Sequence, residues 1–316
     1  MSSITVTSRK LFQTGILLLI LILLSTSPLY TSAYFVIMIS NIILYIILTV
    51  SWAIFSGSTG YISLATASFF GVGIYTSAIV GQTLPLLVTV AIGGLVSSLL
   101  AFLVGALTLR LRGIYFAMFT FGLVELIRHL LRWYEINITG TTGRVVFGID
   151  SLIVFYVLLA LFVMVMFTAY LIRSSRFGLA LRSISEYEEA AAHMGINVDM
   201  VKAITFAISA FFMGATGAIW APRLTYIDPA IAFNVFLSFT PVLMAILGGM
   251  APLYGPVVGA AILAYLEELL ISHFPYYYML LMGLILLVAI LYLPHGLIGL
   301  IQKWRIGIFW KDHENT

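Results

Sequence analysis

Long apolar runs, separated by short polar breaks, divide the chain into ten segments. An α-helix rises 1.5 Å per residue, so about 20 apolar residues cross the hydrocarbon core of a bilayer. The pattern predicts an all-α polytopic membrane protein of about ten transmembrane helices, some of them broken or re-entrant. The predicted segments are 11–29, 34–55, 61–80, 84–107, 113–131, 151–172, 203–221, 233–250, 253–272 and 277–294.

Two of these segments are expected to depart from a simple crossing. Segment 113–131 carries Glu125, Arg128 and His129 near one end, which leaves an apolar stretch of about half a membrane thickness. We therefore expect a short or broken helix there, with Glu125 near the outer membrane interface. Whether 113–131 and 233–250 cross completely stays open on the sequence alone.

Composition and charge agree with a membrane protein. Of the 316 residues, 62% are apolar and 9% are charged, which excludes a soluble globular domain. The net charge of +3 does not indicate nucleic-acid binding, because the basic residues follow the pattern of cytoplasmic loops. With an inner N-terminus, ten crossings place four of the fifteen Lys and Arg residues outside, namely Arg128, Arg132, Arg144 and Arg223.

The other eleven basic residues then lie in the cytoplasm, as the positive-inside rule requires. Both termini and the polar stretch 173–202 are therefore predicted to be cytoplasmic. Whether the first segment is retained stays open, because "YTSA" at 30–33 could serve as a cleavage site after a short apolar run. The chain has no cysteine, which excludes disulfides and thiolate chemistry.

The polar stretch contains a small alanine-rich island, "SEYEEAAAHMGINVDM" at 185–200. Ser185 and Glu188 have the spacing of a capping box, and Gly195 is a natural residue for the left-handed turn after a helix. We predict a short helix over 186–195 whose alanines allow close contact with a partner. A solvated loop helix without a partner is the alternative.

Several stretches resemble one family of ABC importer permeases. Glu189-Ala190-Ala191, followed after three residues by Gly195, looks like the EAA loop of such permeases. Five stretches resemble, in order, the branched-chain amino acid permease family, in particular its LivM-like branch, and the similarity covers roughly 34–300. They are "GYISLATASFFGVGIYTSA" (60–78), "LRLRGIYFAMFTFGLVELIR" (109–128), "ITGTTG" (138–143), "SRFGLALRSISEYEEAAAHMGINV" (175–198) and "LGGMAPLYGPVVGA" (247–260).

The resemblance implies one permease domain over 1–316, with a cytoplasmic coupling loop at 173–202. It also implies a second homologous permease, two cytoplasmic ATPase subunits, an extracytoplasmic binding protein and an amino-acid substrate. The residues implied in ATPase coupling are Glu188, Glu189, Ala190, Ala191 and Gly195. One departure affects the external motif, where the family reads closer to "TGG" followed by "NG" and this chain has Thr139 to Arg144 as "TGTTGR".

No cofactor is expected in this chain, and ATP would be bound by the partner subunits. A Walker A motif needs a lysine followed by Ser or Thr after a glycine-rich loop. The lysines of this chain, Lys10, Lys202, Lys303 and Lys311, are followed by Leu, Ala, Trp and Asp. The chain also lacks the paired carboxylates, His–Glu metal motif or nucleophile arrangement of an intramembrane enzyme.

Glycines interrupt the apolar runs in two regions, which makes those regions candidates for the translocation path. Close helix packing at small residues is an equal alternative. Nearby hydroxyls could serve a zwitterionic substrate in place of buried charges. The candidate path residues are Gly57, Gly60, Ser63, Thr66, Ser68, Gly248 and Gly249.

Other functions remain as alternatives at this stage. An ion-coupled secondary carrier would need an acidic residue at mid-depth in the membrane, and the pattern places none there. A permease for urea or short amides would share most of the sequence features. The exact substrate, homo- or heterodimeric pairing of permeases, and the orientation of any internal repeat are not determined by the sequence.

Overall fold

The structure is a computed structural model that describes residues 23–28, 30–109, 111–146, 148–250, 253–292, 296–297 and 299. Short helical turns of other types follow three of its α-helices, and two-residue strands pair Arg144 with Ile227 and Val145 with Tyr226. The α-helices are α1 (Ala33–Trp52), α2 (Thr66–Val80), α3 (Leu86–Thr108), α4 (Ile114–Tyr134), α5 (Ser151–Ser174), α6 (Arg176–Glu186), α7 (Glu188–His193), α8 (Val198–Trp220), α9 (Pro229–Ala232), α10 (Phe236–Gly248), α11 (Gly255–His273) and α12 (Tyr278–Tyr292).

Seven helical stretches within the described residues are long and apolar enough to cross a membrane, which confirms an α-helical, multi-pass membrane protein. They are Ala33–Gly57, Leu86–Thr108, Ile114–Thr139, Ser151–Ser174, Val198–Arg223, Pro229–Gly248 and Gly255–His273. The count of ten is not confirmed. Most of predicted segment 11–29, and both chain termini, lie outside the described residues, and α2 and α12 have 15 residues each.

The expectation of a short or broken helix in segment 113–131 is wrong. Helix α4 runs unbroken from Ile114 to Tyr134 and continues as a π-helical turn to Thr139. Glu125 lies eleven residues after Ile114 and fourteen before Thr139, roughly 17 and 21 Å along the axis. Glu125 therefore lies about midway along this helical stretch, where it pairs with Arg128 one turn away. Its predicted position near the outer interface stays a prediction.

Two interruptions divide apolar stretches into separate helices. Residues 60–65 are irregular and separate the π-helical turn Ala53–Gly57 and its following residues from α2. Residues 233–235 separate α9 from α10. The first interruption is fixed to α1, because Nε1 of Trp52 donates a 2.7 Å hydrogen bond to the carbonyl of Ser63. Free backbone groups in a membrane protein need such internal partners.

Helix α8 forms the centre of the fold and packs closely against α2 and α3. A Cβ added to Gly73 of α2 would lie 1.9 Å from the carbonyl oxygen of Gly214, and one added to Gly217 would lie 2.0 Å from that of Phe70. Only glycine permits backbones to approach so closely. The glycines of α2 and α8 therefore join these helices into a compact unit that carries the 60–65 interruption at one end.

Candidate functional site

The short helix predicted over 186–195, which we call the coupling segment, differs in detail from its predicted form. The helix covers Glu188–His193 and not 186–195, because α6 continues to Glu186 and Tyr187 is extended between the two helices. The predicted capping box is wrong, since Ser185 lies in the last turn of α6 and the residue at the N-cap of α7, Tyr187, makes no side-chain cap. Glu188 is available for a different partner.

The predicted end of this helix is confirmed at Gly195, whose φ is +86°. The amide of Gly195 donates to the carbonyl of Ala192 at 3.0 Å, and that of Ile196 donates to Ala191 at 3.2 Å. These two bonds form a Schellman motif, which needs a left-handed residue at the position that Gly195 occupies.

A fully buried lysine connects the coupling segment to the membrane helices. Nζ of Lys202, in the second turn of α8, lies 2.9 Å from Oε1 of Glu188 and donates to the carbonyl of Leu109 at 3.0 Å and to the hydroxyl of Tyr61 at 3.2 Å. The hydroxyl of Tyr61 donates to Oε2 of Glu188 at 2.6 Å. We call Lys202, Glu188 and Tyr61 the coupling triad.

The triad joins four parts of the fold. Glu188 begins α7, Tyr61 belongs to the 60–65 interruption, Leu109 follows the end of α3, and Lys202 belongs to α8. The side chain of Lys202 is 0% exposed and that of Glu188 is 21% exposed, so water screens this ion pair little. The ion pair and the Tyr61 hydroxyl thus connect α7 directly to the 60–65 interruption.

The environment of Glu188 favours its charged form. Burial by itself raises the pKa of this carboxyl, but hydrogen bonds from Tyr61 and Lys202, with the charges of Lys202 and Arg112, outweigh burial and hold the pKa below its usual value. A second pair, Arg112 with Glu189 at 3.2 Å, is exposed on both sides, so it contributes little to stability. The buried pair of Lys202 and Glu188, and not this exposed pair, connects α7 to α8.

The triad residues Lys202 and Tyr61 are missing from the residues singled out in the sequence. Lys202 was counted only as a topology signal, and Tyr61 is separated from it by 141 positions. The available signal is the position of Lys202 directly before predicted segment 203–221, because a lysine that becomes buried there needs a partner.

The alanines of α7 do not form a single exposed face. Ala191 is 1% exposed and packs against Ile184 and Val198 of its own chain, whereas Ala190 is exposed. Glu188 is directed to Lys202. Of the five residues predicted for ATPase coupling, Glu189, Ala190 and Gly195 are on the surface and Ala191 and Glu188 connect α7 to the remainder of the chain.

The early group of predicted path residues surrounds the 60–65 interruption. Gly57 and Gly60 are exposed, and Gly60 has a φ of +76°. Ser63, Thr66 and Ser68 are buried. The hydroxyl of Ser63 accepts a 3.3 Å bond from the amide of Ala65, whereas those of Thr66 and Ser68 have no partner among the described residues.

The late group, Gly248 and Gly249, shows the geometry of close helix packing. A Cβ added to Gly248 would lie 1.9 Å from the carbonyl oxygen of Gly255. Gly249 has a φ of +94° where the chain leaves α10, and its backbone is within 3 Å of a Cβ built on Gly296. Neighbouring backbone fills the space beside these glycines, which supports the packing alternative.

A cavity of about 270 Å³ lies beside Gly57, between the end of α1, the junction of α5 with α6, and the turn after α10. Its apolar wall includes Val50 and Leu253, and its polar wall includes Arg182, Ser185 and Glu186. The cavity places Gly57 next to the loop that contains the coupling segment. Movement of that loop would change the size of the cavity.

Helix α4 presents polar groups on its partly exposed face, away from the face that is buried in the subunit. Its inward face is formed by Phe116, Thr120, Leu123 and Val124, which are all buried. On another face Glu125 is paired with Arg128, and Nε2 of His129 lies 3.5 Å from Oε2 of Glu125. One turn earlier, the ring of Phe121 lies 5.8 Å from that of Phe239 of α10.

Sequence comparisons agree with this architecture. The profile of a family described as "Branched-chain amino acid transport system / permease component" matches residues 34–290. The high-affinity branched-chain amino acid transport system permease protein LivM of Salmonella typhimurium is 28% identical over 293 residues, 81% of this chain and 68% of its own length. LivM of Escherichia coli is 27% identical over the same shares.

Shorter similarities extend to other permeases. The permease protein LivH of Salmonella typhimurium is 33% identical over 130 residues, which cover 40% of this chain and 41% of LivH. The ribose import permease protein RbsC of Haemophilus influenzae is 27% identical over 128 residues, 39% of this chain and 40% of RbsC. No solved structure matches the chain.

Proposed function

Because the chain belongs to the branched-chain amino acid permease family of ABC transporters, we propose that this permease subunit imports branched-chain or other hydrophobic amino acids using ATP hydrolysed by separate subunits. The observation that supports the coupling step is the buried triad, in which Lys202 joins Glu188 of α7 to Tyr61 of the 60–65 interruption. A permease that depends on another protein's ATPase needs such a connection.

The proposed partners are a second homologous permease, two ATPases in the cytoplasm and an external binding protein. The exposed surface of α7, with Glu189 and Ala190 at its centre and Gly195 at its end, would contact an ATPase. When ATP draws the ATPases together, α7 would move with them and displace Tyr61 through Glu188. Such rigid-body transmission between packed elements is a common mode of conformational switching.

The proposed orientation places both termini and α7 in the cytoplasm. Single cysteines at Ser185 and Thr142 test it, because both positions are exposed and the natural chain has no cysteine. An impermeant thiol reagent should label Ser185→Cys only from the cytoplasmic side and Thr142→Cys only from the external side. Labelling of both from one side would contradict the proposed topology.

The energy source is tested with the complete complex in proteoliposomes. Uptake of leucine delivered by the binding protein should require ATP on the side of the membrane that carries the ATPases. It should persist when ionophores collapse the proton and sodium gradients. Glu125 lies about midway along the helical stretch Ile114–Thr139, and an ion-coupled carrier would need an acidic residue at mid-depth in the membrane. Gradient-driven uptake by the chain without its partners would support that second candidate and contradict the first.

A further inference from the structure

The partly exposed face of α4 carries an ionisable cluster about midway along the stretch Ile114–Thr139, which is long and apolar enough to cross a membrane. Glu125, Arg128 and His129 lie within one turn, and Glu125 contacts both of the others. The side chains of Glu125 and Arg128 are each 30% exposed, and that of His129 is 67% exposed. Ionisable groups within a membrane span usually face a polar cavity or a pathway and not lipid, because lipid offers them no hydrogen-bond partner.

Apolar and open surfaces adjoin the charged cluster. Phe121 lies one turn before Glu125, on the same side of the helix, and its ring contacts Phe239 of α10. A Cβ built on Gly122 meets nothing within 4 Å. The surface therefore presents a carboxylate, two basic groups, an aromatic pair and free space beside a glycine, all within about two helical turns.

We propose that this surface of α4 is a binding site for the zwitterionic amino acid in the translocation path; this inference rests on the proposed function. The substrate ammonium pairs with Glu125, its carboxylate pairs with Arg128 and His129, and its apolar side chain contacts Phe121 and Phe239. The amino acid contributes one charge of each sign, so the cluster exchanges internal pairs for substrate pairs without leaving an unbalanced charge in the membrane.

The site differs from the path residues chosen from the sequence. Thr66 and Ser68 are fully enclosed within the subunit, whereas Glu125 and His129 reach its surface. The sequence predicts Glu125 near the interface because the apolar run stops there, but the helix continues to Thr139. The length of the observed helix is what puts Glu125 about midway along the stretch.

The test uses the assembled complex in proteoliposomes, with ATP and saturating leucine-loaded binding protein. Glu125→Gln and Arg128→Gln should each lower leucine uptake at least tenfold, while ATPase activity stimulated by the binding protein stays within twofold of wild type. Arg132→Gln, which removes an exposed charge one turn further along α4, is the matched control and should transport normally. Phe121→Ala should reduce uptake of leucine at least twofold more than uptake of valine.

A charge-exchanged variant separates substrate binding from a structural ion pair. Glu125→Arg with Arg128→Glu retains the pair but reverses its order relative to Phe121, so uptake should stay low. Recovery of uptake in this variant, or loss of complex assembly and ATPase activity in both single variants, would assign the cluster a structural role and overturn the proposal. Normal uptake in both single variants would also overturn it while leaving the proposed function intact. Absence of ATP-dependent uptake in wild type would refute both.

Discussion

Nζ of Lys202 is completely buried 2.9 Å from Oε1 of Glu188, across a sequence separation of 14 residues. The pair is closed by the hydroxyl of Tyr61, which contacts both partners. A buried ion pair is weak evidence for stability, because the desolvation of two charges offsets their attraction. Its position between α7 and the 60–65 interruption is better explained by the proposed role, in which the pair transmits movement of α7 to the interruption.

The two partners of this pair should differ in their effect on stability. Glu188→Gln leaves the fully buried ammonium of Lys202 without its counter-charge, which costs about 3–5 kcal/mol. Lys202→Met leaves Glu188 with partial access to water and should cost less. Thermal unfolding of the purified permease in detergent measures both, and the double variant should be less destabilised than the sum. Equal effects of the two single changes would contradict the burial difference.

The contribution of the Glu188–Lys202 pair to the stability of the fold should decline only at acid pH. The pKa of Glu188 is lower in the folded chain than the usual 4.5, so its charge stabilises the fold fully above that value and less as the pH falls through the lower folded pKa. The difference in melting temperature between wild type and the double variant Glu188→Gln with Lys202→Met, which lacks both charges, should thus be constant from pH 8 to pH 5 and shrink below pH 4.5. A difference that changes between pH 8 and pH 6 would indicate another titrating group.

Neighbouring alanines of α7 should respond differently to the same substitution. Ala190→Arg adds a large side chain to an exposed position, so the permease should fold normally and fail to retain the ATPases during purification. Ala191→Arg forces a charge into the contact with Ile184 and Val198 and should destabilise the loop itself. Wild-type ATPase retention by Ala190→Arg would mean that α7 is a solvated helix without a partner.

The effect of replacing Gly195 should depend on whether the new residue tolerates the left-handed backbone conformation, and not on the size of its side chain. Its φ of +86° disfavours most side chains, although a Cβ there meets nothing within 4 Å. Gly195→Val should lower the stability of α7 by about 1–2 kcal/mol and reduce ATPase retention, whereas Gly195→Asn should behave close to wild type, because asparagine tolerates the left-handed region. Hydrogen exchange of the α7 amides compares the two variants. Similar protection in both would exclude a conformational role for this glycine.

Several features of the fold could be predicted because they depend on local pattern. The apolar runs indicate the membrane helices, and Gly195 after an alanine-rich helix indicates its left-handed end. The expectation of a short or broken helix in segment 113–131 was wrong because the apolar stretch was taken to end near Glu125, whereas Glu125 pairs with Arg128 one turn away within a continuous helix. Local pairing of that kind changes how far an apolar helix can extend.

The coupling triad could not be predicted because it depends on contacts between distant parts of the chain. Lys202, Glu188 and Tyr61 meet only after α8 packs against α2 through glycine contacts such as Gly73 with Gly214. Contacts with Ile184 of α6 and Val198 of α8 bury Ala191, which the sequence placed on a partner-facing surface. Side-chain direction in a short loop helix is set by tertiary contacts rather than by its own sequence.

The role of the coupling triad is tested most directly by the ratio of leucine imported to ATP hydrolysed in the reconstituted complex that contains Tyr61→Phe. This change removes only the hydroxyl that joins Tyr61 to Glu188 and Lys202, and it keeps the ring that packs 5.6 Å from Phe116. Tyr75→Phe is the matched control, since Tyr75 also donates to a glutamate, Glu135, elsewhere in the fold. Transmission of movement from α7 through the triad predicts at least a fivefold lower ratio for Tyr61→Phe with ATPase activity retained, and a normal ratio for the control. A wild-type ratio for Tyr61→Phe would contradict transmission through the triad.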